Sequence, residues 1–255
     1  MNLTRLIIPA LMCLPLWGCN QAGNSSNLRP RAATKDAVTA NINVGAEYMR
    51  EGNYEKALEK LDRARAIDPG YYGTYNIYGL LYQRMGQNAD AERNFRKALG
   101  LASNDPAVLN NFGQFLCNTE RAAEAEKIFL QAAGNPLNQM PEVALTNAGI
   151  CMQKSGQLVK AEEYYRKALE LNRDLADALI RMAQISQEQG NALSARGFLQ
   201  RYLANAKPTA QSLWLGIQIE RELGDTNAVS SYVLMLKNNF PDSREAGLLE
   251  QSGLR

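Results

Sequence analysis

The sequence predicts an all-α solenoid of six helix–turn–helix units closed by a short C-terminal helix, and three observations predict it. A glycine recurs as Gly52, Gly86, Gly156, Gly190 and Gly224, at separations of 34, 70, 34 and 34 residues. Each sits between two stretches of helical period. Around Gly86, one stretch carries Tyr75, Tyr78, Gly79 and Tyr82 at i, i+3, i+4 and i+7, and the other Ala91, Phe95 and Ala98. Small residues recur at two places, Gly45, Gly79, Gly113, Gly149 and Ala183 at position 8 of the unit and Ala57, Ala91, Ala125, Ala161 and Ala195 at position 20. Paired helices can approach closely there while larger residues at positions 11 and 24 fill the space beside them. Because a solenoid grows by units, the 255 residues read as an array and not as one or two globular domains.

The chain opens with one basic residue, Arg5, and an uncharged run from Leu6 to Trp17 that holds Pro9 and Pro15. A bilayer span needs about 20 apolar residues, so this run fits an export signal better than an anchor. Its end, Leu16-Trp17-Gly18-Cys19, resembles the bacterial lipoprotein signal. That resemblance implies that residues 1–18 are removed and Cys19 is lipidated; the alternative is an ordinary signal with an incidental Cys19. Asn20 stands where an Asp would favour inner-membrane retention, so the resemblance further implies the periplasmic face of the outer membrane. Residues 19–33 continue as a Gly, Ser, Asn and Pro-rich stretch with too few apolar residues to pack, read as a tether reaching roughly 20 Å.

The six units run Val38–Tyr71, Tyr72–Asp105, Pro106–Pro141, Glu142–Leu175, Ala176–Thr209 and Ala210–Ser243, the repeat domain occupying 34–243. Unit three has Glu120 in place of the turn glycine and two extra residues near Asn135–Met140, which accounts for the one slip of frame. Pro69, Pro208 and Pro241 stop second helices, and Asp105-Pro106 supplies a cap and a first-turn proline for the next. Unit six is the most divergent copy, with Gly216 and Ile217 exchanged and Val229 at position 20. Residues 244–255, with Ala246, Leu248 and Leu249, are expected to cover the open end.

This pattern resembles the tetratricopeptide repeat, which implies a right-handed superhelix with the first helix of each unit lining its concave face. Positions 2, 5, 9, 12 and 13 then point into the groove. The residues so placed are Ile42, Met49 and Arg50; Asn76, Leu80, Gln83 and Arg84; Asn110, Gln114 and Asn118; Thr146, Ile150, Gln153 and Lys154; Ile180, Gln184 and Gln187; and Trp214, Gln218 and Arg221. Their amides can bracket a peptide backbone while Ile42, Leu80 and Ile150 take side chains. The alternative for any single one is a solvated face. Tyr75, Tyr78 and Tyr82 fall on core positions instead.

Composition removes other classes. A net charge of +2 argues against nucleic acid, and a chain without histidine lacks the commonest acid–base group and metal ligand. No nucleophile, base and orienting group converge, so an enzyme, a small-molecule substrate and a cofactor are not expected. With Cys13 in the signal and Cys19 lipidated, Cys117 and Cys151 remain, at positions 12 and 10 of neighbouring first helices in an oxidising compartment. A disulfide between them is the expectation, two buried free thiols the alternative.

Leu109-Asn110-Asn111-Phe112-Gly113-Gln114-Phe115-Leu116-Cys117, followed one repeat later by Asn147-Ala148-Gly149-Ile150-Cys151, resembles the type IV pilus biogenesis and stability lipoproteins of the PilF/PilW family. The resemblance implies a pilotin, a non-enzymatic lipoprotein that helps the pilus secretin reach the outer membrane and assemble there as a ring. A tetratricopeptide lipoprotein of β-barrel assembly, or a scaffold for peptidoglycan enzymes, is the alternative.

Overall fold

A computed structural model describes residues 31–253. It consists of helices, with no strand among the described residues: α1 (Arg31–Arg50), α2 (Tyr54–Ile67), α3 (Tyr72–Arg84), α4 (Asn88–Leu101), α5 (Pro106–Asn118), α6 (Ala122–Ala133), α7 (Pro141–Lys154), α8 (Leu158–Leu171), α9 (Ala176–Glu188), α10 (Ala192–Asn205), α11 (Ala210–Glu222), α12 (Thr226–Asn239) and α13 (Arg244–Gln251). The first twelve form the six expected pairs. Two boundaries differ from the sequence frame: α1 begins at Arg31, inside the stretch read as tether, and α7 begins at Pro141. The signal segment 1–18, Cys19 and the tether as far as residue 30 lie outside the described residues.

Every turn within a unit closes in the same way. The backbone N–H three residues past each first helix reaches back five residues, as in Asn53→Tyr48 (2.8 Å), Gln87→Tyr82 (2.9 Å) and Arg121→Leu116 (2.9 Å), which satisfies a carbonyl the helix end would leave free. That geometry needs a left-handed residue, which is why glycine recurs. In unit three Glu120 adopts it instead, at φ 63°. The second helices start on side-chain caps where the sequence supplies them: Asn53 accepts from the Lys56 N–H, Asn191 from Ser194 and Asp225 from Ala228.

Position 8 explains the pairing distance. A Cβ added to Gly79, Gly113 or Gly149 would stand 2.5–2.7 Å from the ring of Phe95, Phe129 or Tyr165 at position 24 of the same unit. The aromatic ring packs directly against the first helix at this residue, and only glycine leaves room for it. Unit six keeps this contact by moving both partners: Gly216 is one residue early, and the ring over it is Tyr232, also one residue early. The exchange of Gly216 and Ile217 is therefore a register shift of an intact contact.

The core runs along the array between first and second helices. Tyr75 and Tyr78 are buried in it, with the Tyr75 hydroxyl donating to the Pro69 carbonyl at 2.8 Å and the Tyr78 hydroxyl to Asp62 at 2.5 Å. Asn135 and Asn138 hold the extra residues of unit three by accepting from the N–H groups of Leu137 and Met140. At the far end, Ser243 caps α13, and Leu249 is buried against Leu213, Ile217, Val233 and Leu236 of unit six. This helix covers apolar surface that a seventh unit would otherwise take.

Candidate functional site

The first helices α3, α5 and α7 are joined to one another by side chains on the surface the sequence assigned to a partner. Asn111 Nδ2 donates to Asn76 Oδ1 at 3.2 Å, Asn147 to Asn110 at 3.4 Å, and Lys154 to Asn118 at 3.1 Å. Gln114 donates to Asn118 within α5, and Asn110 also donates to the Pro106 carbonyl. Over units two to four these amides are thus engaged in linking repeats. Cys117 and Cys151, both buried, add a covalent link between α5 and α7: they form a disulfide with Cα atoms 5.6 Å apart.

Four of the residues expected in the groove are not available to a ligand. Ile42 and Met49 are 8% and 6% exposed and belong to the N-terminal core with Tyr75, Tyr78 and Leu81, because positions 5 and 12 of α1 turn toward α3 and apolar side chains there follow into the interior. Thr146 is buried, its hydroxyl donating to the Glu142 carbonyl at 2.8 Å. Asn76 is buried beneath Asn111. Leu80, Gln83, Asn110, Gln114, Ile150 and Gln153 are half-buried, and Arg84 is exposed.

The groove opens further along. A cleft of about 550 Å³ is lined by Gln153 of α7, Arg181, Gln184, Gln187 and Glu188 of α9, Gln211, Trp214, Leu215 and Gln218 of α11, and Glu245 of α13. Among the described residues no side-chain hydrogen bond crosses from α7 to α9, whereas bonds cross at each neighbouring joint from α3 to α11. The surface is therefore open where the links stop. Of the residues named for the groove, Gln153, Gln184, Gln187, Trp214 and Gln218 meet here.

Arg181, Glu188, Gln211, Leu215 and Glu245 were not among the residues named for the groove. Glu188 and Gln211 hold positions 13 and 2, which the positional rule covers; Arg181 and Leu215 hold position 6, and the amides Asn111 and Asn147 at that position were the available signal. Glu245 comes from the capping helix, outside the repeat frame.

The lining can satisfy a backbone of either polarity. Five glutamines surround Trp214, and Gln187 shows what such a ligand would gain: its Nε2 donates to Glu222 at 2.6 Å, while its Oε1 is buried without a donor. Tyr165 donates to Gln153 Oε1 at 2.9 Å and fixes that amide from below. Burial pushes the Tyr165 phenol up, with the Arg181 charge opposing it, so the hydroxyl stays a donor. Among the described residues no group of three His, Cys, Asp or Glu side chains could hold a metal ion, and no helix is long and apolar enough to cross a membrane.

Stacked helix pairs, close-packed at positions 8 and 24 and grooved along their first helices, define a tetratricopeptide-repeat solenoid, a scaffold of the kind that serves protein–protein contact. Tetratricopeptide repeat family models match residues 38–71, 72–105 and 143–175, in the frame of the turn glycines. Within that class the chain is homologous to PilF and PilW. It is 29% identical over 241 residues to the type IV pilus assembly protein PilF of Pseudomonas aeruginosa, covering 94% of this chain and 96% of that one. A solved structure of Pseudomonas aeruginosa PilF superimposes with a TM-score of 0.73 at 29% identity, covering 86% of this chain and 99% of the other. PilW, described as a widely conserved type IV pilus biogenesis factor, superimposes with a TM-score of 0.72 at 29% identity, covering 83% of this chain and 97% of the other.

Proposed function

We propose that the chain is a non-enzymatic lipoprotein of type IV pilus biogenesis. In this reading it is carried to the periplasmic face of the outer membrane by a lipid on Cys19 and binds a segment of the pilus secretin, promoting its localisation and multimerisation there. The observation that carries it is the homology to PilF over nearly the full length of both chains. The glutamine cleft of α7, α9 and α11 is the surface assigned to the secretin segment, its amides bracketing an extended backbone and Trp214 taking a side chain.

Deletion of the gene tests the reading. Loss of secretin multimers from the outer membrane, restored by the wild-type chain and not by Cys19→Ala, is expected. Normal multimers in the deleted strain overturn it. Recovery of barrel-assembly components or peptidoglycan hydrolases with the purified chain, in place of the secretin, moves the assignment to those machineries.

A further inference from the structure

The joint between units four and five is open on the side of the second helices as well, and its chemistry there differs from that of the glutamine cleft. A concavity of about 460 Å³ is lined by Arg166, Leu169, Glu170 and Arg173, from α8 and the turn after it, and by Phe198 and Arg201 of α10. A second hollow of about 270 Å³, lined by Ser194, Gly197, Phe198 and Arg201, continues it past the phenylalanine ring. We propose that this surface is a second docking site, one that takes an acidic protein segment carrying an apolar side chain.

Charge sets the sign of the partner. Three arginines face one glutamate, and among the described residues neither Arg173 nor Arg201 makes an ion pair; Arg166 is paired with Glu162 at 2.7 Å. Arg201 is held in place by donating to the Arg173 carbonyl at 2.5 Å, with its guanidinium 5.9 Å from the Phe198 ring centre. One held cation, Arg201, and one without an ion pair, Arg173, thus line the hollow beside an apolar floor of Leu169 and Phe198, a combination suited to a carboxylate next to an aliphatic or aromatic residue.

At the preceding joint the position-23 aromatic already has an acid of the chain for a partner. There the aromatic at position 23 is Tyr164, and a carboxylate of the chain itself, Glu126, accepts from its hydroxyl at 2.5 Å and from Lys160 at 2.9 Å. At the joint of units four and five the aromatic is Phe198, and Glu162, the counterpart of Glu126, is drawn to Arg166 and Gln189. Arg173 and Arg201 are left without an internal acid. None of the other joints places three arginines at the corresponding positions.

The test titrates the full folded chain with a short fluorescein-labelled peptide of glutamates interrupted by leucines, read by anisotropy. Saturable binding that weakens with added salt is expected, falling about tenfold or more in Arg173→Glu/Arg201→Glu and less in Arg173→Gln, which leaves the Arg201 bond to the backbone carbonyl intact. Trp214→Ala is expected to bind the peptide as the wild type does. Equal binding by the arginine variants, equal binding of a lysine-for-glutamate peptide, or loss of binding in Trp214→Ala overturns the proposal. So does arginine-dependent binding to anionic phospholipid vesicles in place of the peptide, which makes the occupant a lipid surface. A sedimenting dimer dispersed by the double variant makes it a second copy of this chain and likewise overturns the proposal.

Discussion

A Cβ on Gly149 would lie 2.5 Å from the ring of Tyr165, nearer than side chains approach one another in folded proteins. The neighbouring unit shows the alternative solution, Ala183 at position 8 with Leu199 at position 24, both buried. Gly149→Ala is therefore expected to destabilise the chain by about 1–3 kcal/mol through overpacking, despite alanine's better helix propensity. Combining it with Tyr165→Leu should cost less than the sum of the two single changes, because the leucine vacates the space the new methyl needs. Urea unfolding of the four proteins checks this, and strict additivity would show that ring and backbone are not coupled.

The same contact explains what was legible in the sequence. Gly79, Gly113 and Gly149 recur because each backbone carries a ring, and Gly52, Gly86 and Gly156 recur because each turn needs positive φ; both demands are local and repeat every unit. The two helices per unit, their pairing and the adjacency of Cys117 to Cys151 follow from that frame. The groove was less legible. A positional rule names residues that point toward a concave face, yet it says nothing about which of them bond each other. Asn76 and Asn110 are engaged by Asn111 and Asn147 one repeat away, and Ile42 and Met49 are claimed by the core. Glu245 reaches the cleft from a helix that lies outside the repeat, so no reading of period could place it.

Glu120 occupies the left-handed turn position at φ 63°, the conformation glycine adopts in the sibling turns. A residue with a Cβ costs about 1 kcal/mol there, so Glu120→Gly is expected to raise stability by about that amount and Glu120→Val to lower it. Thermal unfolding distinguishes these changes from a neutral surface substitution, which would leave the transition unmoved.

The bridge between Cys117 and Cys151 closes a loop of 34 residues across two repeats. On the chain-entropy estimate it contributes about 3–4 kcal/mol. Reduction, or the double change Cys117→Ser/Cys151→Ser, should shift the urea midpoint down accordingly and admit proteolysis between units three and four. Identical midpoints for oxidised and reduced protein would remove the bridge from the list of forces that join those units.

Glu126 links units three and four through Tyr164 and Lys160. Burial pushes its carboxyl up, but the hydrogen bond from Tyr164 and the one from Lys160 outweigh it, and the group ends below the usual carboxylate range. A depressed folded pKa means that the unfolded chain takes up the proton first. The stability this carboxylate contributes is complete above the ordinary range near pH 4 and is lost as the pH falls through the lower folded value. Glu126→Gln should therefore be less stable than the wild type at neutral pH and show a flatter decline between about pH 5 and pH 3. Parallel decline in the two proteins would place the acid sensitivity elsewhere, with Glu92 and its partners Arg121 and Arg96 the next group to change.

Position 11 drifts along the array from Tyr48 and Tyr82 through Leu116 and Met152 to Ser186 and Glu220. Glu220 is 2% exposed, yet it stands where earlier units carry large or apolar side chains, and it survives there because the Arg196 guanidinium of the preceding unit grips it with both its Nε at 3.0 Å and a terminal nitrogen. Removing one partner leaves the other charge without compensation, whereas removing both leaves an apolar contact of similar size. Arg196→Met is expected to lower the thermal midpoint, because it strands the buried carboxylate of Glu220. The double change Arg196→Met/Glu220→Met is expected to recover most or all of that loss. If the double variant is less stable than the single one, the ion pair itself is a net source of stability at the joint of units five and six, and the polar drift of position 11 serves cohesion. If it recovers as expected, the pair acts to fix how unit six seats on unit five, and the cleft residues Gln211, Trp214 and Gln218 that α11 carries should then shift against α9. Weaker binding of the segment proposed to occupy the cleft by the double variant, at unchanged stability, would be the sign of that shift.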